Sequence, residues 1–198
     1  MSDWKNKLIQ EQIIWEYPGH GPHAVFTLSG KHASSYFNSD YLTNKPGLLK
    51  QVARDLHKSI DSKIKSRPDY VVSYAPYGIG IGSQLAELFN CRFAYAEPNR
   101  KGLQLKPGDK VLLCADDLHS GKSMIGLLNR VIAGRADIIA PPAFIANCSS
   151  KDNFNAGEII ALIDLPIESW IAEKCPLCAA GSKALEARQH WQDLFQFN

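Results

Sequence analysis

No stretch of this 198-residue chain stays apolar for the roughly 18–20 residues that a membrane-spanning helix needs. Residues 1–17, MSDWKNKLIQEQIIWEY, are studded with polar groups and hold no secretion-signal core. A cytoplasmic protein without a membrane partner is the expectation. A surplus of charge of one sign is also missing: 22 Lys and Arg face 20 Asp and Glu, for a formal net charge of +2. Nucleic acids and anionic membranes are held by concentrated positive fields, so neither is expected as the main partner. Low-complexity tracts and internal repeats are absent, which removes disordered tails and solenoids from consideration. What remains is an ordinary globular composition, 45% hydrophobic, in a chain long enough for one well-buried domain.

Cysteine is sparse and odd in number: Cys91, Cys114, Cys148, Cys175 and Cys178. Without a secretion signal, that count argues against a disulfide framework. Cys114 lies in an apolar, strand-like run, where a free thiol packs as a small hydrophobe. Only Cys175-Pro-Leu-Cys178 has a spacing that suggests a metal. One C-x-x-C supplies two ligands where structural zinc takes four, so no metal ligand is assigned. A tight loop of reduced thiols is the expectation, with a redox pair or a site shared between two chains as alternatives.

Along the chain, Leu49, Val52, Leu56, Ile60 and Ile64 recur three or four apart, which predicts a helix from Pro46 to Lys65. The β-branched and aromatic run RPDYVVSYA (67–75) predicts a strand, closed by the glycine-rich PYGIGIGS. SQLAELF (83–89) reads as a short helix and RFAYAE (92–97) as the next strand. A polar hinge leads to strand VLLCA (111–115), a short loop, and helix SMIGLLNRVIAG (123–134), with Gly134 placed to stop it. ADIIAPPAFIA and EIIALIDL supply further strands. Strands alternating with helices predict an α/β domain with a largely parallel central sheet flanked by helices. Its ligand is expected outside the carboxyl ends of the strands, where two glycine-rich loops, 73–83 and 115–123, both lie. The expected organisation is a single domain, 1–198, with an N-terminal section (1–45), an α/β core (46–165) and a C-terminal tail (166–198).

The segment VLLCADDLHSGKSM (111–124) ends its loop in Gly121-Lys122-Ser123, as a nucleotide-binding P-loop does. A P-loop requires a glycine five positions earlier, so that the backbone can wrap the phosphates. Asp116 stands there, a carboxylate where a phosphate would lie, and the P-loop reading fails. A strand-to-helix turn with incidental acids is one alternative. The other is a ribose-phosphate cradle, in which backbone N–H groups at a helix start bind the phosphate and a carboxylate ahead of them accepts from sugar hydroxyls.

Four apolar residues, acids, and a small polar loop resemble the phosphoribosyl pyrophosphate (PRPP) motif of type I phosphoribosyltransferases. HAVFTLSGKHASSYFNSDYL (23–42) resembles the N-terminal segment of the orotate phosphoribosyltransferase family, VVSYAPYGIGIGSQLAELF (71–89) its pyrophosphate loop, and FAYAEPNRKGLQLKPGDKVLLCADDLHSGKSM (93–124) its mobile loop and PRPP motif. CPLCAAG is similar to a tail found in some members. The resemblance spans about residues 20–180. It implies a type I phosphoribosyltransferase-like fold with a small N-terminal base-binding section or hood. It also implies transfer of ribose 5-phosphate from PRPP to a nucleobase, orotate first, with Mg²⁺ carried mainly by PRPP, in a homodimer. Asp116, with Asp117, would hold the ribose hydroxyls, and His119, Ser120, Gly121, Lys122 and Ser123 would wrap the 5′-phosphate. Tyr74 and Ala75 would bind pyrophosphate through backbone groups. Arg100 or Lys101 would neutralise the leaving pyrophosphate, and Lys31, Tyr36 and Phe37 would contact the base.

The sequence also departs from the family. Aligned without a gap, the first acid of the motif falls on Ala115, whereas a shift of one residue would make Asp116 and Asp117 the pair; FIANCSSKDNF (144–154) carries no arginine where the family places one for orotate. These differences leave two other readings open: a phosphoribosyltransferase for a different base, and a non-catalytic regulator that binds PRPP or a nucleotide.

Overall fold

A computed structural model describes residues 3–97, 103–149 and 157–196. In chain order it contains helix α1 (Trp4–Gln10), strands β1 (Ile14–Glu16), β2 (His23–Val25), β3 (His32–Ala33) and β4 (Ser35–Phe37), and helices α2 (Ser39–Thr43) and α3 (Pro46–Asp61). Next come β5 (Tyr70–Tyr74), α4 (Ile79–Phe89), β6 (Arg92–Ala96), β7 (Lys110–Leu118), α5 (Lys122–Ala133), β8 (Asp137–Ile138), β9 (Ala143–Asn147) and β10 (Ile160–Asp164). The chain closes with β11 (Ser169–Trp170), a 3₁₀ turn (Ala172–Lys174), α6 (Pro176–Ala179), β12 (Ala184–Glu186) and α7 (Trp191–Phe195). No helix among the described residues is long and apolar enough to cross a membrane.

These elements divide into two compact units, one of residues Ser39–Leu165 and one joining the chain up to Asn38 with the chain from Pro166. The N-terminal section and the tail thus form one body. Residues 39–45, grouped with that section from the sequence, begin α2 in the other unit.

In the larger unit the sheet order is β10-β9-β7-β5-β6, with β8 beside the start of β7 and every pairing parallel. Strand β7 is the hub. Its first half pairs with β5, from Tyr70↔Val111 to Val72↔Leu113, and its second half with β9, from Cys114↔Ala143 to Leu118↔Asn147. After β5 the chain steps outward to β6, then returns to the other side of β5 for β7. The carboxyl ends of β5 and β7 therefore flank a topological switch point, where open α/β sheets bind ligands. Val111, Leu113 and Ala115 pack on one face of β7 with Met124, Leu127 and Val131 of α5. Helix α3 buries Leu49, Val52, Leu56 and Ile60, the predicted stripe, with Pro46 in its first turn.

Helix α3 ends at Asp61, short of the predicted Lys65, and other boundaries differ from the sequence reading as well. Helix α4 starts at Ile79, inside the glycine-rich run. A Cβ on Gly82 would lie 2.5 Å from the Phe93 ring, and one on Gly80 would lie 3.1 Å from the Thr43 hydroxyl. These glycines let the helix pack closely, and that packing outweighs their poor helix propensity. Strand β7 continues through both acids to Leu118, because β9 pairs with it there. Helix α5 does stop at Gly134, its C-cap, but that glycine has φ −76°, and the left-handed residue is Arg135 at φ 54°. The Arg135 N–H donates to the Ile132 carbonyl and the Ala136 N–H to that of Val131, closing a Schellman motif around Arg135 rather than around the glycine.

In the smaller unit β1 pairs antiparallel with β4, and a second sheet has the order β11-β3-β2-β12. Two indoles tie its distant segments together: Trp15 Nε1 donates to the Leu194 carbonyl (2.9 Å) and Trp191 Nε1 to that of Gln12 (3.0 Å).

Candidate active site

At the end of β5 the chain turns over 75–78 and enters α4. The Ala75 N–H donates to the Ala96 carbonyl (2.9 Å) and the Gly78 N–H to that of Tyr74 (3.0 Å), while Ala75–Pro76 is a cis peptide. A Cβ on Gly78 would collide with the Ser73 hydroxyl, so this turn closes only on glycine. Tyr74 and Ala75, the residues expected at the pyrophosphate loop, stand at the carboxyl end of β5.

On the neighbouring strand, side chains alternate between faces. Ala115 and Asp117 therefore share one face of β7, and Asp116 points to the other. Asp116 is hydrogen-bonded to the Ser39 hydroxyl at the start of α2. Burial, with the Asp117 carboxylate beside it, pushes the Asp116 carboxyl up to about 7 despite that bond. On its own face, Asp117 Oδ2 lies 3.2 Å from His119 Nε2. Burial works against the charged imidazole, but the Asp117 carboxylate outweighs it and the His119 pKa is raised.

Only His119, Ser120 and Gly121 separate β7 from α5. Gly121 is the N-cap residue, at φ 70°, and no side chain caps the helix. A side-chain cap would occupy first-turn N–H groups, which lie at the positive end of the helix dipole. A tight glycine turn into an uncapped helix suits an anion, and the expected phosphate residues His119 to Ser123 all lie on it.

Asp117, His119 and the buried Cys148 bring one ligand atom each to within 4.8 Å of one another. Magnesium takes oxygen ligands and keeps waters or phosphates, so a thiol and an imidazole do not make a magnesium cage. Of the groups at this end of β7, the carboxylates of Asp116 and Asp117 are the oxygen donors that suit such an ion.

The remaining expected residues belong to other parts of the chain. Arg100 and Lys101 fall outside the described residues. Lys31, Tyr36 and Phe37 belong to the smaller unit, where Lys31 is exposed. Tyr36 and Phe37 are both buried, and the Tyr36 ring lies 5.4 Å from Phe26 and 5.7 Å from Trp191, with its hydroxyl accepting from Arg188 Nε (3.1 Å). Both rings are thus packed within that unit. Ser39, which bonds Asp116, and Cys148, within 4.8 Å of Asp117, carry no local sequence signal. They arrive through α2 and through the parallel pairing of β9 with β7.

Compared with known proteins, the chain matches no protein-family profile. It is 30% identical to an orotate phosphoribosyltransferase of Acidithiobacillus ferrooxidans over 180 residues, 86% of this chain and 92% of that relative. The chain belongs to the orotate phosphoribosyltransferase family. A family member from Campylobacter jejuni subsp. doylei is 32% identical over 177 residues, covering 80% of this chain and 87% of the relative. Among solved structures, an orotate phosphoribosyltransferase from Francisella tularensis has a TM-score of 0.56 at 16% identity, covering 98% of this chain and 92% of that one. An adenine phosphoribosyltransferase from Trypanosoma brucei has a TM-score of 0.58 at 15% identity, covering 96% and 92%. These structural likenesses carry the type I phosphoribosyltransferase fold, which serves more than one base.

Proposed function

We propose that this type I phosphoribosyltransferase uses orotate, transferring ribose 5-phosphate from PRPP to N1 of the base and releasing pyrophosphate. The observation that carries the reading is the end of β7: a carboxylate on each face of the strand, then a three-residue glycine turn into an uncapped helix. Backbone N–H groups of 119–123 hold the 5′-phosphate, and Asp116, ionised, accepts from the ribose hydroxyls. The turn after Tyr74 receives the pyrophosphate, which leaves with the electron pair of its bond to C1′. Charge develops on the sugar as that bond breaks, and positioned carboxylates favour it.

The alanine at position 115 does not leave its face of the strand without an acid. Asp117 offers a carboxylate two residues further along the same face, beside His119. The pair Asp116 and Asp117 therefore supports catalysis over the non-catalytic reading. Orotate as the base is supported by the names of the family relatives. The test is to supply PRPP and Mg²⁺ with orotate, adenine and other bases in parallel and to follow pyrophosphate release. Turnover restricted to orotate supports the proposal. Turnover with another base alone would replace orotate but keep the reaction, and PRPP binding with no turnover would leave a non-catalytic binder.

A further inference from the structure

In the smaller unit, strands β2 and β3 pair antiparallel with Ala24 opposite Ala33 and Val25 opposite His32. That register puts His23 and His32 on one face as diagonal neighbours, their ring centroids 4.9 Å apart. The two outer strands of this sheet, β11 beside β3 and β12 beside β2, both come from the C-terminal segment. The chain between β11 and β12 carries Cys175-Pro-Leu-Cys178, and it lays both thiols against the two imidazoles. The sequence counted two ligands, and the fold brings two more from 152 positions away.

The four facing atoms are His23 Nε2, His32 Nδ1 and the two Sγ atoms. Cys175 Sγ and Cys178 Sγ lie 3.7 and 3.6 Å from His23 Nε2, Cys178 Sγ lies 3.2 Å from His32 Nδ1, and the two nitrogens are 2.8 Å apart. A tetrahedral zinc ion with bonds of about 2.3 Å to sulfur and about 2.0 Å to nitrogen holds nitrogen about 3.5 Å from sulfur and about 3.3 Å from nitrogen. The cluster has these dimensions to within a few tenths of an ångström, with the two nitrogens closer than the ion would hold them. His23, His32 and Cys175 are buried, and Cys178 is half-buried.

The outer contacts orient the first histidine. The Ser182 hydroxyl donates to the Gly21 carbonyl (2.7 Å), so toward His23 Nδ1, 2.8 Å away, it accepts. His23 must then carry its proton on Nδ1 and turn the Nε2 lone pair inward. Metal-bound histidines are commonly fixed by such an outer hydrogen bond.

We propose that His23, His32, Cys175 and Cys178 form a structural zinc site that fastens the N-terminal hairpin to the C-terminal loop. Two thiolates and two imidazoles are a soft, tetrahedral set that selects zinc over magnesium or calcium, and four protein ligands leave no open position for catalysis. The site supplies what a small body made from two distant segments needs, a cross-link between them. The inference is independent of the base and of the transfer reaction.

The test is metal analysis of the purified full chain, reduced, reconstituted with zinc and dialysed. About one zinc per chain is expected, as for a closed four-ligand site. Cys178→Ser and His32→Ala should each lose most of that zinc, and a chelator should lower the melting temperature of the parent but not of the variants. Replacing zinc with Co²⁺ in the parent should give thiolate charge-transfer and intense tetrahedral absorption bands. The cobalt spectrum decides the matter even where a variant fails to fold. Substoichiometric zinc after reconstitution, full zinc retention in Cys178→Ser, or a cobalt spectrum without thiolate bands would overturn the proposal.

Discussion

At the scale of single residues, Asp116 and Asp117 are neighbours in sequence with different surroundings. Asp116 bonds Ser39 on one face of β7, and Asp117 meets His119 on the other. If Asp116 accepts from the ribose hydroxyls, Asp116→Asn removes charge-assisted bonds of about 1.5–3 kcal/mol and should weaken PRPP binding roughly 10- to 100-fold. Asp117→Asn should weaken it less, and titration calorimetry with PRPP and Mg²⁺ measures both. The opposite order would mean that Asp117 takes the ribose.

The same carboxyl carries a stability signature. Its pKa rises from the ordinary 3.8 to about 7, so between those values the folded chain holds a proton that the unfolded chain has released. Its contribution therefore falls as pH rises across that window. Asp116→Asn, which cannot ionise, should gain melting temperature relative to the parent as pH climbs from about 4 to about 7, and the gain should level off above. A difference that stays flat across that range would contradict the burial assigned to Asp116.

At the scale of elements, the turns bounding α5 show what glycine does in one place and not in another. Gly121 enters the helix at φ 70°, where an L side chain costs about 1–2 kcal/mol. Gly121→Ala should destabilise the chain by that amount and weaken phosphate binding. Arg135, exposed and at φ 54°, occupies the left-handed position that glycine favours. Arg135→Gly should raise stability by a few tenths to about 1 kcal/mol, and thermal unfolding of the two variants should shift in opposite directions.

The helices and strands of the core were legible because their apolar spacing reports burial directly, as Leu49, Val52, Leu56 and Ile60 do on α3. At the end of α5 the stop at Gly134 was legible too, but the left-handed residue was not. A glycine in the last turn signals a stop, but which residue turns left-handed depends on packing, and a Cβ on Gly134 would lie 3.2 Å from Leu105. The extension of β7 through Asp116 and Asp117 was hidden for a similar reason, since it depends on a partner strand some 30 positions later. Likewise, nothing near Ser39 or Cys148 announces that they meet the acids. The joining of His23 and His32 to Cys175-Pro-Leu-Cys178 is a matter of sheet order, which local patterns do not encode.

At the scale of the whole molecule, the chain keeps the family's parallel sheet, with the candidate site at the switch point between β5 and β7. Aligned without a gap, the first acid of the expected PRPP motif falls on Ala115, and Asp117 offers a carboxylate on that same face. We propose that this altered motif still transfers phosphoribose. The most direct measurement is pyrophosphate release by the purified chain with PRPP, Mg²⁺ and orotate, with the Asp116→Asn chain as control. Sustained release by the parent, matched by consumption of orotate and largely lost in the variant, is the predicted result. No release with orotate or any other base, from a folded chain that binds PRPP, would contradict it.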